Sequence, residues 1–175
     1  MKEYFGTVTS KAIYEDSQRK YRYYLERTWE GQKEKVNKTA TIVMLNPSYA
    51  DEFKTDTSIM RVTNLLVDMG YNCLRIVNLF AYVATVHTAL SSTIGNTGDK
   101  NNEWITKAIM NVDLLIIAWG SDEKKHVRRK REVTQIINNL SRTEKPKKIK
   151  WFVDEDGRKG RHPSRLKELK LVDYS

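Results

Sequence analysis

Cysteine occurs once in these 175 residues, at Cys73. No disulfide can form within the chain, and no cysteine-ligated iron–sulfur cluster can be held by it. Long apolar runs are missing as well. None approaches the roughly 18–20 residues needed to span a membrane, and Met1-Lys2-Glu3-Tyr4-Phe5 lacks the apolar core of a signal peptide. Histidine is scarce, and neither His87 nor His126 has a second ligand at metal spacing, so no metal site is expected. There is no internal repeat and no low-complexity segment. These absences lead to an expectation of one cytoplasmic domain, 1–175, working without a cofactor.

What is present argues for a packed core. The apolar fraction is 39%, with four Trp and nine Tyr, too rich for a disordered chain. Charge is unevenly placed. Residues 1–120 carry 14 Lys/Arg and 13 Asp/Glu, whereas residues 121–175 carry 17 Lys/Arg and nine Asp/Glu, a net of +8. A basic third of this kind suits a nucleic-acid partner, because counterions released from phosphate drive association. The plainer account is a lysine- and arginine-rich helix, around Arg128–Arg131, kept in solution by its charge.

Local patterns give an alternating order of strands and helices. Tyr4–Tyr14 and Tyr21–Trp29 alternate in polarity and form a hairpin across Glu15–Lys20. Thr39–Leu45, Cys73–Leu79, Asp113–Trp119 and Ile149–Val153 are apolar runs suited to strands buried on both faces. Between them, Asp56-Thr57 caps a helix that runs to Gly70, and Asn101–Asn111 forms a second. Ser121 or Asp122 caps a third, basic helix reaching Leu140. Strand–helix alternation predicts a three-layer α/β/α domain with a central, mostly parallel sheet, plus the N-terminal β-hairpin.

In such folds ligands bind beyond the carboxyl ends of the strands. Asn46, Asn78 and the Trp119-Gly120 turn fall there, and His162 follows the last apolar run. Taken singly, Asn46-Pro47 reads as a turn, His162-Pro163 as a loop, Trp119 as core and Asn78 as a buried polar group. Cys73, before a buried strand, reads as inert.

In order along the chain, Asn46-Pro47, Ile76-Val77-Asn78, Leu115–Gly120 and His162-Pro163-Ser164-Arg165-Leu166 resemble the motifs of the uracil-DNA glycosylase superfamily. Nearly the whole chain, with Asn-Pro-Ser-x-Ala-Asp at Asn46–Asp51, also resembles an uncharacterised bacterial family, domain of unknown function 1643. The glycosylase resemblance implies a base extruded from DNA into the strand-end pocket. Asn46 would position water and His162 would donate to the base oxygen as the glycosidic bond breaks. Asn78 would read the base edge, with Met44, Leu45, Phe53 and Phe80 around the base. Ser48, Ser164, Arg161, Arg165 and Lys167 would contact DNA, and Leu166 would fill the gap left by the base. An acidic, DNA-mimicking inhibitor protein is a further implied partner.

Three departures bear on the activity. Met44 stands where the superfamily pattern has Gly, Ile59 falls near the place of a base-stacking Phe, and Arg165 replaces the second Pro of the last motif. Glycine admits a ligand close to backbone, so Met44 reshapes the pocket. A carboxamide is also a poor base, which predicts slow hydrolysis. Three functions therefore stay open: a weak glycosylase, a catalytically silent DNA-binding module of the same fold, and a nucleoside- or nucleotide-processing enzyme.

Overall fold

The computed structural model describes residues 1–31, 37–84, 96–120 and 124–174. Ser121 and Asp122, the expected caps of the third helix, and His87 lie outside the described residues. Two strands, β1 (Gly6–Tyr14) and β2 (Arg22–Gly31), form the expected N-terminal hairpin. They are followed by β3 (Thr39–Met44), α1 (Thr57–Asp68), β4 (Cys73–Asn78), α2 (Asn101–Ile109), β5 (Leu114–Ile117), α3 (Val127–Asn139), β6 (Ile149–Val153) and β7 (Lys170–Asp173). All seven strands join one sheet in the order β1-β2-β4-β3-β5-β6-β7.

The sheet is mixed, which corrects the expectation of a mostly parallel one. Only β4, β3, β5 and β6 run parallel to their neighbours at the centre. The pairs β1–β2, β2–β4 and β6–β7 are antiparallel. A short connection explains only the β1–β2 hairpin; β2 docks against β4, which follows it after β3 and α1, and β7 returns along β6 after the 3-10 turn at Pro163–Arg165. Strand β7 is absent from the sequence reading, because Lys170 and Asp173 leave only Leu171-Val172 as an apolar signal.

Period-2 alternation sorts the central strands onto two faces. Ile42, Ile76 and Leu114 pack in one cluster with Ile59, Val62 and Leu66 of α1. Val43, Val77 and Leu115 pack in the other with Ile105 and Ile109 of α2 and Val133 and Ile137 of α3. Helix α1 begins where the sequence predicts, with Asp56 accepting the Ile59 N–H at 2.9 Å. Helix α3 begins later than expected, after His126, which takes a left-handed conformation and gives no side-chain cap. Its face is not wholly solvated either. Arg129 is 6% exposed and its Nε donates to the Leu79 carbonyl at 2.6 Å. No described helix is long and apolar enough to cross a membrane.

The order of connections sets one rim of the sheet apart. From β3 the chain goes to β4 on one side, then crosses to β5 on the other side of β3. That reversal opens a crevice beyond the carboxyl end of β3. Antiparallel pairing of β2 with β4 brings the first residue of β2, Arg22, to the same rim.

Candidate functional site

At this rim lies a cleft of about 260 Å³ lined by Arg22, Met44, Asn46, Ser48, the α1 start (Asp56, Thr57, Ser58), Ala84, His162 and Ser164. Its base is the β3–β4 ladder, prolonged past the strand ends by Leu79 N–H to the Met44 carbonyl (2.9 Å) and Phe80 N–H to the Leu45 carbonyl (3.0 Å).

Asn46 is fixed by its own amide. Nδ2 donates to the carbonyls of Ala84 (2.6 Å) and Pro47 (3.0 Å), so the carboxamide cannot rotate without losing both. The rest of the Asn-Pro-Ser-x-Ala-Asp signature shapes the next turn. Ala50 is buried against α1, and Asp51 Oδ1 accepts the N–H of Phe53 (2.8 Å) and Lys54 (2.6 Å), which holds its carboxyl below the ordinary carboxylate range. Arg27 completes the turn by donating from Nη2 to the Lys54 carbonyl at 2.6 Å.

The opposite wall comes from the end of the chain. Pro163–Arg165 forms a single 3-10 turn, and His162 precedes it. His162 Nδ1 accepts the Ser164 backbone N–H at 3.3 Å and lies 2.9 Å from Ser164 Oγ. With Nδ1 accepting, the proton of the neutral ring belongs on Nε2, which makes Nε2–H a donor. This turn is held by a clamp that sequence reasoning missed. Arg61 of α1 donates from Nη1 to the carbonyls of Pro163 (2.7 Å) and Leu166 (2.6 Å), and from Nη2 to that of Lys167 (2.8 Å). An exposed-looking Arg in a helix pattern gives no hint of three carbonyl partners a hundred residues away.

Arg22 was also missed, although it is the one Arg or Lys on the cleft lining. It is 2% exposed, and its Nε and Nη1 are buried without a hydrogen-bond partner. Burial pulls its pKa down, against the more distant attraction of Tyr14, Asp56 and Asp51. Within Tyr21-Arg22-Tyr23-Tyr24 it looks like any charge at a strand start, so only the aromatic neighbours signalled burial.

Other expected site residues lie elsewhere. Asn78 is 1% exposed and does not line the cleft; its Oδ1 is buried without a partner, and Asn101 Nδ2 donates to its backbone carbonyl at 3.1 Å. Leu45 and Phe80 belong to the cluster on the α2–α3 face, and Phe80 meets the His126 ring edge-on at 5.0 Å. Phe53 is 89% exposed at the tip of its turn. Leu166, the expected wedge, is 6% exposed and packs in the α1-side cluster, where Arg61 holds its carbonyl. Arg165 is exposed, Arg161 pairs with Asp154 at 3.0 Å, and Lys167 lies 3.6 Å from Glu155. Cys73 is buried, which raises its thiol pKa.

Beside the rim, a wider depression of about 640 Å³ is lined by Trp119, Trp151 and Tyr174 with Lys130, Arg131, Arg158 and Lys159. Trp151 stacks on Tyr174 at 4.5 Å and meets Trp119 edge-on at 6.1 Å. Its cations come from the basic third of the chain. Among the described residues no group of His, Cys, Asp and Glu could hold a metal ion.

Residues 22–164 match the family described as protein of unknown function (DUF1643). The chain belongs to the DUF1643 family. The matched span opens at Arg22 and closes at Ser164, so it contains every residue that lines the rim cleft of this DUF1643 protein. No curated protein and no solved structure matches it.

Proposed function

We propose that this DUF1643 chain is a DNA-binding protein with the three-layer architecture of the uracil-DNA glycosylases, whose rim cleft receives an extruded nucleotide and slowly hydrolyses its N-glycosidic bond. One observation carries the reading: Asn46 and His162, from motifs at opposite ends of the chain, line one cleft beyond the carboxyl end of β3. Two clusters on opposite faces of the sheet, one with α1 and one with α2 and α3, support the layered architecture.

The chemistry follows from how the two side chains are held. Asn46 commits Nδ2 to backbone carbonyls, which leaves Oδ1 as an acceptor able to orient a water. His162 offers Nε2–H to an oxygen on which negative charge grows as the base departs. Neither group is a strong base, hence a slow reaction. The depression of Trp119, Trp151, Lys130 and Arg131 gives a cationic, aromatic surface beside the cleft along which a strand can lie. The same surface suits an acidic DNA-mimicking protein.

A second reading, a silent module that binds without cutting, draws on two placements. Met44 lines the cleft where the glycosylase pattern has Gly, and Asn78 is sealed off from it. Single-turnover assays with excess protein and a labelled uracil-containing oligonucleotide, followed by alkali, separate the two. Cleavage that disappears in Asn46→Ala and His162→Ala supports hydrolysis. Salt-sensitive binding without cleavage supports the silent module. Absence of both binding and cleavage refutes the DNA reading and leaves the nucleotide-processing enzyme.

A further inference from the structure

An unpaired guanidinium in the interior is costly, since burial removes its water and supplies nothing in return. Native folds rarely leave such groups unsatisfied, so each one calls for a partner or a role. Arg22 is in this position. Its Nε and Nη1 have no partner, and it forms part of the cleft wall. The start of α1, a helix of 12 residues, shares the same cleft, with Thr57 and Ser58 on the lining. Ser48 adds a hydroxyl and His162 an imidazole to the same lining.

We propose that the cleft holds a phosphate group, seated on the fork of Arg22 and facing the α1 N-terminus. Guanidinium matches phosphate geometry with two parallel N–H donors, and the exposed N–H groups of a first helical turn favour the same charge. Asp56 is the one carboxylate on the lining and opposes an anion, but its Oδ1 is turned to the Ile59 N–H as the helix cap. Met44 and Ala84 are the apolar side chains of the lining, and the other eight are polar or charged. The identity of the rest of the ligand rests on the nucleotide reading above; the phosphate seat itself does not. The group can belong to a free nucleotide or to a strand of nucleic acid, and these two sources are separable.

Calorimetric titration at low salt tests the seat with inorganic phosphate, deoxyuridine 5′-monophosphate, deoxyuridine, and a uracil-containing oligonucleotide lacking terminal phosphates. Phosphate and the monophosphate are expected to bind, with deoxyuridine at least ~tenfold weaker than its monophosphate. Equal affinity for deoxyuridine and its monophosphate, or no heat with phosphate or the monophosphate at millimolar concentration, overturns the proposal. A tighter oligonucleotide identifies the source as an internal phosphodiester, and a tighter monophosphate identifies a free nucleotide.

Arg22→Gln is expected to abolish phosphate binding. Because Arg22 is buried, that variant can fail to fold, so Ser48→Asp serves as the second. It sets a carboxylate on the cleft wall without touching the core, and is expected to weaken phosphate binding at least ~tenfold, while Ser48→Asn keeps it. Unchanged phosphate affinity in Ser48→Asp overturns the assignment. Phosphate binding that depends on Arg22 in a protein that ignores the oligonucleotide would sink the DNA reading alone.

Discussion

Removing the Arg61 guanidinium is the sharpest test of how the His162 wall is held in place. Three carbonyls, of Pro163, Leu166 and Lys167, accept from this one side chain. Hydrogen bonds to a charged donor contribute roughly 1.5–3 kcal/mol each when buried. Arg61 is half-buried and its three bonds share one set of side-chain torsions, so we take about 1 kcal/mol per bond. Arg61→Ala should then lower unfolding stability by about 2–3 kcal/mol, some of it from Leu166 becoming exposed more often. Urea unfolding followed by tryptophan fluorescence reads the global loss. Amide exchange at Arg165, whose N–H donates to the His162 carbonyl at 2.9 Å, reads the local one. Arg61→Lys should recover only part, because a compact ammonium cannot span three carbonyls as a planar fork does. If Arg61→Ala stays within about 0.5 kcal/mol of wild type and Arg165 exchange is unchanged, the Arg61 clamp does not hold the His162 wall.

Two further changes probe the scaffold. Gly98 sits at φ +78°, and a Cβ there would lie 2.8 Å from Tyr23 Cε1 and 3.2 Å from the Ala81 Cβ, so Gly98→Ala should cost about 2–3 kcal/mol in thermal or urea unfolding. Asp113 ties the start of β3 to the β6 approach through Thr39 N–H (2.9 Å) and Lys147 Nζ (2.7 Å). Burial raises its carboxyl, but the bonds from Lys147 and Thr39 outweigh this and hold its pKa below the ordinary value. A lowered folded pKa stabilises above the unfolded value and loses that contribution as pH falls through the folded one. Asp113→Asn should thus cost about 0.5–1 kcal/mol at neutral pH, and its gap from wild type in urea titrations should close below about pH 4.

The central fold was readable because its signals are local. Continuous apolar runs marked β3, β4, β5 and β6, and Asp56 announced α1 with a side chain that does cap it. Strand pairing was less legible, since direction at the sheet edges depends on where β2 and β7 dock and not on their own residues. Asn46 was found at the rim because a strand end and a proline mark it, and His162 because it follows the last apolar run and precedes a proline. Arg22 and Arg61 escaped notice for the opposite reason. A guanidinium acquires its meaning from what surrounds it, and the partners of Arg61 lie a hundred positions away in sequence. Asn78 shows the reverse error: a strand-end carboxamide looks available, yet the helix α2 residue Asn101 packs over its carbonyl.

The clamp has a consequence for how the protein comes into being. One wall of the cleft is laid down with Arg22 and Asn46, and the other waits for His162 and Ser164, beyond six of the seven strands. During synthesis a chain released up to β6 can pair its central strands while Arg22 still faces an open crevice. Only when Arg61 captures the emerging Pro163–Lys167 carbonyls does the crevice become a cleft. The cleft is therefore among the last parts of the molecule to be completed, and a chain stopped before His162 has only one of its walls.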